Sequence, residues 1–181
     1  MKVKLDFKNW NRKEHFMFFS KFDEPFYILN MDVDCTEGYR GIKEKNGSVF
    51  TWYLHNAMKA SNQVKEFRYR IEEEEVFIYD VIHASPTISR DDGTFGFAQV
   101  DYDDDFDAFS KNLEKEIERV KATSGLFTAP ERIDVIHYST LPWFSFTGLT
   151  HPRNYKDGDS IPKISFGKIY ESSGRMMMPL S

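Results

Sequence analysis

The sequence predicts an α+β, two-layer sandwich: a mixed, mainly antiparallel sheet with helices on one side. Three observations predict it. Period-two alternation recurs in short runs, stripes of helical spacing separate those runs, and no repeat, linker or low-complexity segment divides them. At 181 residues the chain has the length of one domain with a sizeable core, so residues 1–181 are read as a single domain. Aromatic residues make up 16%, with 17 phenylalanines, which suits a thick aromatic core or an aromatic-lined pocket.

Asn11 with Glu14 has the form of a capping box, and Phe16, Phe19 and Phe22 follow at helical spacing, so a helix is expected near 11–21. Residues 25–36 alternate: Tyr27, Leu29, Met31, Val33 and Cys35 face one way and Asn30, Asp32 and Asp34 the other, as in a half-buried strand. Asn46-Gly47-Ser48 breaks the chain before a second helical stripe of Phe50, Tyr53, Leu54, Ala57 and Met58. Strands over 67–71 and 76–82, joined at the glutamate run, form a hairpin, and a third over 94–102 extends it to a meander. Phe106, Phe109, Leu113, Ile117 and Val120 mark a long amphipathic helix whose start is favoured by the preceding aspartates. Strands are then expected over 133–138, 143–149, 163–169 and 176–180. The last is apolar and stops in mid-pattern at Ser181, the expectation for a domain incomplete at its C-terminus or followed by disorder.

The net charge is -5 and no basic patch with interleaved aromatics occurs, which argues against nucleic acid as a partner. The acidic runs at 72–75 and 101–107 lack the fixed-turn ligand spacing of a calcium loop, so they read as solvated turns and no metal is implied. A single Cys35 excludes an internal disulfide and fits a reducing compartment. The charged N-terminus lacks a signal-peptide core and no segment approaches membrane-spanning length, so a cytoplasmic location away from membranes is expected.

The stretch Ser139-Thr140-Leu141-Pro142-Trp143-Phe144-Ser145-Phe146 places a hydroxyl, a proline and an indole at an irregular point of an apolar segment. Alone, Ser139 reads as a serine bonded to local backbone at a strand end. With Asn9-Trp10-Asn11-Arg12-Lys13-Glu14-His15-Phe16 before it and Lys163-Ile164-Ser165-Phe166-Gly167-Lys168 after it, in that order, the chain resembles the chloramphenicol acetyltransferase family. Val76-Phe77-Ile78-Tyr79-Asp80 and Gly93-Thr94-Phe95 fit between them, so the resemblance spans essentially the whole chain.

The resemblance implies a homotrimer with active sites at subunit interfaces, acetyl-CoA as co-substrate and a small hydroxyl-bearing acceptor such as chloramphenicol. A histidine base takes the acceptor's proton as its oxygen attacks the thioester carbonyl, a contribution of roughly a hundred- to ten-thousand-fold. A serine hydroxyl holds the oxyanion, for a further factor of about a hundred to a thousand. Carried over by position, Ser139 is that oxyanion donor, and Arg12 is the arginine that pairs with an aspartate of the catalytic motif. Phe19 and Tyr27 line the acceptor pocket, with the hydroxyl exchanged between the two positions relative to the family. Trp143 and Ser165 lie near the coenzyme. Ile169 stands where the family has a coenzyme-contacting tyrosine, and Tyr170 beside it is the candidate contact, although a regular strand points it to the opposite face.

The family's His-His-x-x-x-Asp-Gly motif, which carries the base, is expected a few residues past Ser181. None of the five histidines replaces it by motif: His15 belongs to the first helix, His55 to the second, and His83 and His151 to connections. His137 shares a face with Ser139 by alternation and is expected to line the acceptor pocket, while nothing in the sequence orients its ring as a base. Two alternatives stand beside the enzymatic reading. One is a non-catalytic, truncated chain. The other is the acyltransferase core of a 2-oxoacid dehydrogenase complex, which uses another acyl acceptor and normally follows a flexible linker absent here.

Overall fold

A computed structural model describes residues 1–153 and 159–181. The predicted helix near 11–21 is shorter, α1 (Lys13–Phe19), and Asn11 does not cap it: Arg12 occupies the cap position without a side-chain bond. Its entry is instead fixed by Phe7, Trp10 and Phe16, whose rings meet pairwise at 5.6–5.9 Å. The strand expected over 25–36 shortens to β2 (Met31–Asp34), numbered after β1 (Lys2–Lys4). The Asp34 carboxylate ends it by accepting from the Thr36 amide at 3.0 Å and the Thr36 hydroxyl at 2.6 Å, turning the chain into a helix the alternation had hidden, α2 (Thr36–Glu44).

The next helix, α3 (Val49–Gln63), starts where Ser48 accepts from the Thr51 amide. A Cβ at Gly38 of α2 would meet the Trp52 ring of α3 at 2.1 Å, so only glycine lets these helices approach so closely. A 3-10 turn (Lys65–Arg68) leads to the expected hairpin, β3 (Tyr69–Glu72) and β4 (Glu75–Tyr79), closed by Glu73 and Glu74 at positive φ. β1 adds to β4 antiparallel, and Lys2 and Lys4 pair with Glu72 and Glu75, relieving the repulsion within the glutamate run.

The meander does not continue. After β4 the chain crosses to a larger sheet through β5 (His83–Ser89), which the sequence concealed because Pro86 interrupts its donor pattern. The run expected over 94–102 contributes only β6 (Phe95–Phe97), paired with β5. The amphipathic helix is α4 (Phe106–Lys121), capped by Asp105, which accepts from the Ala108 amide. Then come β7 (Val135–Leu141), β8 (Lys163–Gly167), β9 (Tyr170–Ser172) and β10 (Arg175–Leu180). The strand expected over 143–149 does not form: past Pro142 the chain leaves the sheet, with Trp143 and Phe144 exposed.

The large sheet runs β2-β10-β8-β7-β5-β6, with β9 on β10. Its centre, β5-β7-β8, is parallel, and its outer pairings are antiparallel. Even-numbered residues of the central strands, Ala84, Ile136, Tyr138 and Phe166, are buried in one core with Leu54 and Met58 of α3 and Phe109 and Leu113 of α4. The two sheets are stapled by Arg70 of β3. Wholly buried, it donates to the carbonyls of Ile133 at 2.6 Å and Phe67 at 2.9 Å, and also to Tyr69 and Val135. Burial lowers the pKa of this guanidinium to about 10, and the carbonyls satisfy it in place of a carboxylate.

Candidate active site

β7 and β8 pair in parallel with Ser139 opposite Ser165 and His137 opposite Lys163. Register partners leave a sheet on the same face, about 4.8 Å apart, so these four side chains share the face turned away from the buried core. The Ser139 hydroxyl makes no hydrogen bond to any described residue, yet it is not a buried unpaired atom, so it remains open as a donor. The strand end that was expected to absorb it instead uses Thr140, whose Oγ1 lies 3.0 Å from the Tyr53 hydroxyl on the other face.

His137 borders a cavity of about 90 Å³ lined with Ser85, Phe97, Gln99, Phe127 and Ile161. Its Nδ1 is buried without a hydrogen-bond partner, and its ring centroid lies 6.2 Å from that of Phe97. Burial, then the positive charge of Lys163, lowers its pKa to about 4, with Asp159 acting in the opposite sense. The imidazole is therefore neutral at pH 7. Lys163 is bound to Asp159 at 2.6 Å, and Asp159 also meets Arg153 at 3.5 Å, so two cations share one carboxylate beside this face. The Arg153 guanidinium lies over the Phe26 ring at 4.2 Å.

Ser165 is wholly buried, and its hydroxyl lies 2.8 Å from His151 Nε2. Its own backbone exchanges two hydrogen bonds with Ser181, at 2.8 and 3.0 Å. The sequence had left His151 in a connection, because a bond made from an irregular loop to a strand carries no periodicity. His151, Arg153 and Asp159 are the site-face residues that sequence reasoning missed. Lys163 could have been found from its place opposite His137 once the register was known.

The remaining predicted residues lie at the start of α1, on α1, in loops and on β9. Arg12 is exposed at the start of α1 and forms no ion pair with a described residue. Phe19 is 51% exposed and clusters with Phe18 and Phe22, Tyr27 is 84% exposed, and Trp143 is 69% exposed. No hydrogen bond or ring contact joins them to Ser139 or His137 within the described residues. Tyr170 stands on β9 opposite Met177, and its hydroxyl donates to Asp32, which raises its pKa. Among the described residues, no cluster of histidine, cysteine and carboxylate side chains could hold a metal ion, and no helix is long and apolar enough to cross a membrane.

A family model described as chloramphenicol acetyltransferase matches residues 2–181. The chain belongs to the chloramphenicol acetyltransferase family. Among its relatives, a chloramphenicol acetyltransferase of Clostridium perfringens is 30% identical over 98% of this chain and 86% of its own. Chloramphenicol acetyltransferase 3 of Escherichia coli is 27% identical over 99% and 85%. A solved chloramphenicol acetyltransferase superposes with a TM-score of 0.87 at 29% identity, covering 99% of this chain and 88% of that one. A dihydrolipoamide acetyltransferase of Azotobacter vinelandii aligns with a TM-score of 0.59 at 15% identity, covering 84% of this chain and 69% of that one, a likeness of fold alone.

Proposed function

We propose that this protein transfers the acetyl group of acetyl-CoA to a hydroxyl of chloramphenicol or a related small acceptor. The observation that carries the reading is Ser139: a half-buried serine of the Ser-x-x-Pro-Trp frame, its hydroxyl without a hydrogen-bond partner among the described residues, on the polar face of a parallel strand pair. As the acceptor oxygen attacks the thioester carbonyl, the C–O bond forms and the carbonyl oxygen gains negative charge. Ser139 donates to that oxygen. Collapse of the adduct breaks the C–S bond and releases the coenzyme thiolate, which takes up the proton removed from the acceptor. A preorganised donor of this kind contributes about a hundred- to a thousand-fold.

In this reading the base is the histidine of the family's His-His-x-x-x-Asp-Gly motif, which does not occur within residues 1–181. Arg12, exposed and without a carboxylate among the described residues, is free to pair with that motif's aspartate. His137, Phe19 and Tyr27 meet the acceptor, and Trp143, Ser165 and Tyr170 lie on the coenzyme side. The exposed aromatic side chains of Phe18, Phe19, Phe22, Tyr27 and Trp143 support a homotrimer in which neighbouring subunits cover them. The free thiol of Cys35 supports a cytoplasmic setting.

The test is release of coenzyme thiol from acetyl-CoA by the full-length protein, with chloramphenicol and a panel of hydroxylated acceptors. Turnover dependent on the acceptor is expected, and no turnover with any acceptor overturns the reading. Sedimentation of a trimer is the expected companion result, and a monomer contradicts the shared-interface site.

A further inference from the structure

Between α4 and β7 the chain runs as an irregular strap, bridged at Phe127 to Phe97 of β6. Alternate residues of this strap have different neighbours. Phe127, Ala129 and Glu131 line the cavity of about 90 Å³ bordered by His137, whose Nδ1 is buried without a partner. Thr128, between the first two, is tied to α4 instead. Its hydroxyl accepts from Arg119 at 3.1 Å and donates to the Phe97 carbonyl at 2.7 Å, and its own carbonyl accepts from Arg119 at 2.7 Å. The Pro130 carbonyl accepts from the Gln99 side chain.

Arg119 is itself held in place. Glu116, on the preceding turn of α4, accepts from two nitrogens of the guanidinium at 2.8 and 2.7 Å, and the same carboxylate accepts from the Gln99 amide at 3.0 Å. A planar guanidinium can meet Glu116 along one edge and Thr128 along another, which the single ammonium of a lysine cannot reproduce. Neither Glu116, Arg119 nor Thr128 lines the cavity. They fix its wall from behind. Without this latch the strap keeps the Phe97 amide's bond to the Leu126 carbonyl at 3.0 Å, Arg90's bond to the Gly125 carbonyl at 2.8 Å and the Gln99 contact. Gly125, at φ +85°, lies between the helix and Thr128, a point where the backbone turns freely.

We propose that Arg119 is a positioning residue for the acceptor: acting through Thr128, it holds the strap as the outer wall of the His137 cavity. The inference rests on the acetyl-transfer reading, in which His137 meets the acceptor, and it adds a source of acceptor affinity that lies outside the cavity. A latched wall is ordered before the acceptor arrives, so the cost of ordering it is not subtracted from binding. The latch therefore acts on acceptor KM and leaves the chemical step alone.

The test uses the full-length protein. KM for chloramphenicol is expected to rise roughly three- to tenfold in Arg119→Met and in Thr128→Val, with kcat and KM for acetyl-CoA within about twofold of wild type. Thr128→Ser restores the hydroxyl and should bring chloramphenicol KM back to within about twofold. Combining Arg119→Met with Thr128→Val should raise KM no further than Arg119→Met alone, because both cut one latch. Amide exchange at Phe97 reports the strap directly and should quicken about tenfold in Thr128→Val.

A chloramphenicol KM in Thr128→Val equal to that of wild type overturns the proposal while leaving acetyl transfer intact. So does an unchanged exchange rate at Phe97. Loss of kcat together with a rise in both KM values also overturns it, since that marks a general loss of packing. Should Arg119→Met fail to fold, Thr128→Val, which deletes one hydroxyl, decides the matter. Wild-type protein that does not acetylate chloramphenicol defeats the acceptor reading itself, and the role of Arg119 falls with it.

Discussion

The two faces of β7 differ by one residue along the chain and by almost everything in chemistry. On one side Tyr138 stacks with Phe166 at 5.8 Å and 7°, Phe166 meets Tyr53 at 4.5 Å, and Thr140 hydrogen-bonds the Tyr53 hydroxyl. On the other lie His137 and Ser139, opposite Lys163 and Ser165, with His151 above. The first face has traded solvent for packing against α3. The second carries polar and charged side chains in place of that packing, and each face holds one buried polar atom without a partner, the Tyr138 hydroxyl on the first and His137 Nδ1 on the second. A strand that anchors the core through alternate residues thus holds the intervening ones in fixed directions, the preorganisation that an oxyanion donor requires.

The sharpest way to break this division is to exchange the costs of the two faces. Phe166→Ala removes a side chain that is 2% exposed and contacts two aromatic rings, and should cost about 3–5 kcal/mol of folding stability. Urea unfolding measures it directly. A loss below about 1 kcal/mol would mean that the even-numbered face is not the part holding the sheet to its helices.

Ser139→Ala tests the opposite face. It should lower kcat about a hundred- to a thousand-fold, equivalent to about 2.7–4 kcal/mol on the barrier, while stability moves by no more than about 0.5 kcal/mol. Kinetics and unfolding on the same preparation give both values. Equal effects on both, or turnover within tenfold of wild type, would show that the hydroxyl is structural after all.

Which of these residues could be found from sequence follows from the same division. Regular packing leaves a period, so α3 and α4 were visible as stripes, and the serine and aspartate at their starts agree with the caps seen at Ser48 and Asp105. Where a side-chain bond or a proline overrides the period, the signal fails. Asp34 and Thr36 cut β2 short and begin α2, and Pro86 conceals β5 at the centre of the sheet. In the site, Ser139 was legible through its Ser-x-x-Pro-Trp frame and His137 through alternation with it. His151 was not, because its bond to Ser165 spans 14 residues and joins a loop to a strand. Nor could the sequence show that Lys163 and Arg153 share Asp159, or that burial, reinforced by those two cations, lowers the pKa of both histidines.

The smallest expected effect concerns pH, and it separates the faces without touching the reaction. The ionisable groups of the packed face are tyrosines: burial raises the pKa of Tyr53 to about 12 and also raises that of Tyr138, so neither titrates below neutrality. His137 does. Its pKa falls from 6.5 toward about 4 on folding, because burial and the charges of Lys163, Arg70 and Arg153 outweigh the opposing Asp159. Between those values the unfolded chain binds a proton that the folded chain refuses. Stability from this residue is therefore fully present above about pH 6.5, declines as pH drops toward 4, and levels off below that, a loss of up to about 3 kcal/mol. His151 and His83 also have lowered pKa values and add to the slope in the same direction. Urea midpoints measured from pH 7.5 to 4.5 for wild type and His137→Asn should diverge at the acid end, the variant losing less because an amide has no proton to bind. Parallel curves would mean that His137 is protonated as readily in the folded protein as outside it, and the polar face would then carry a cation where the structure places a neutral ring.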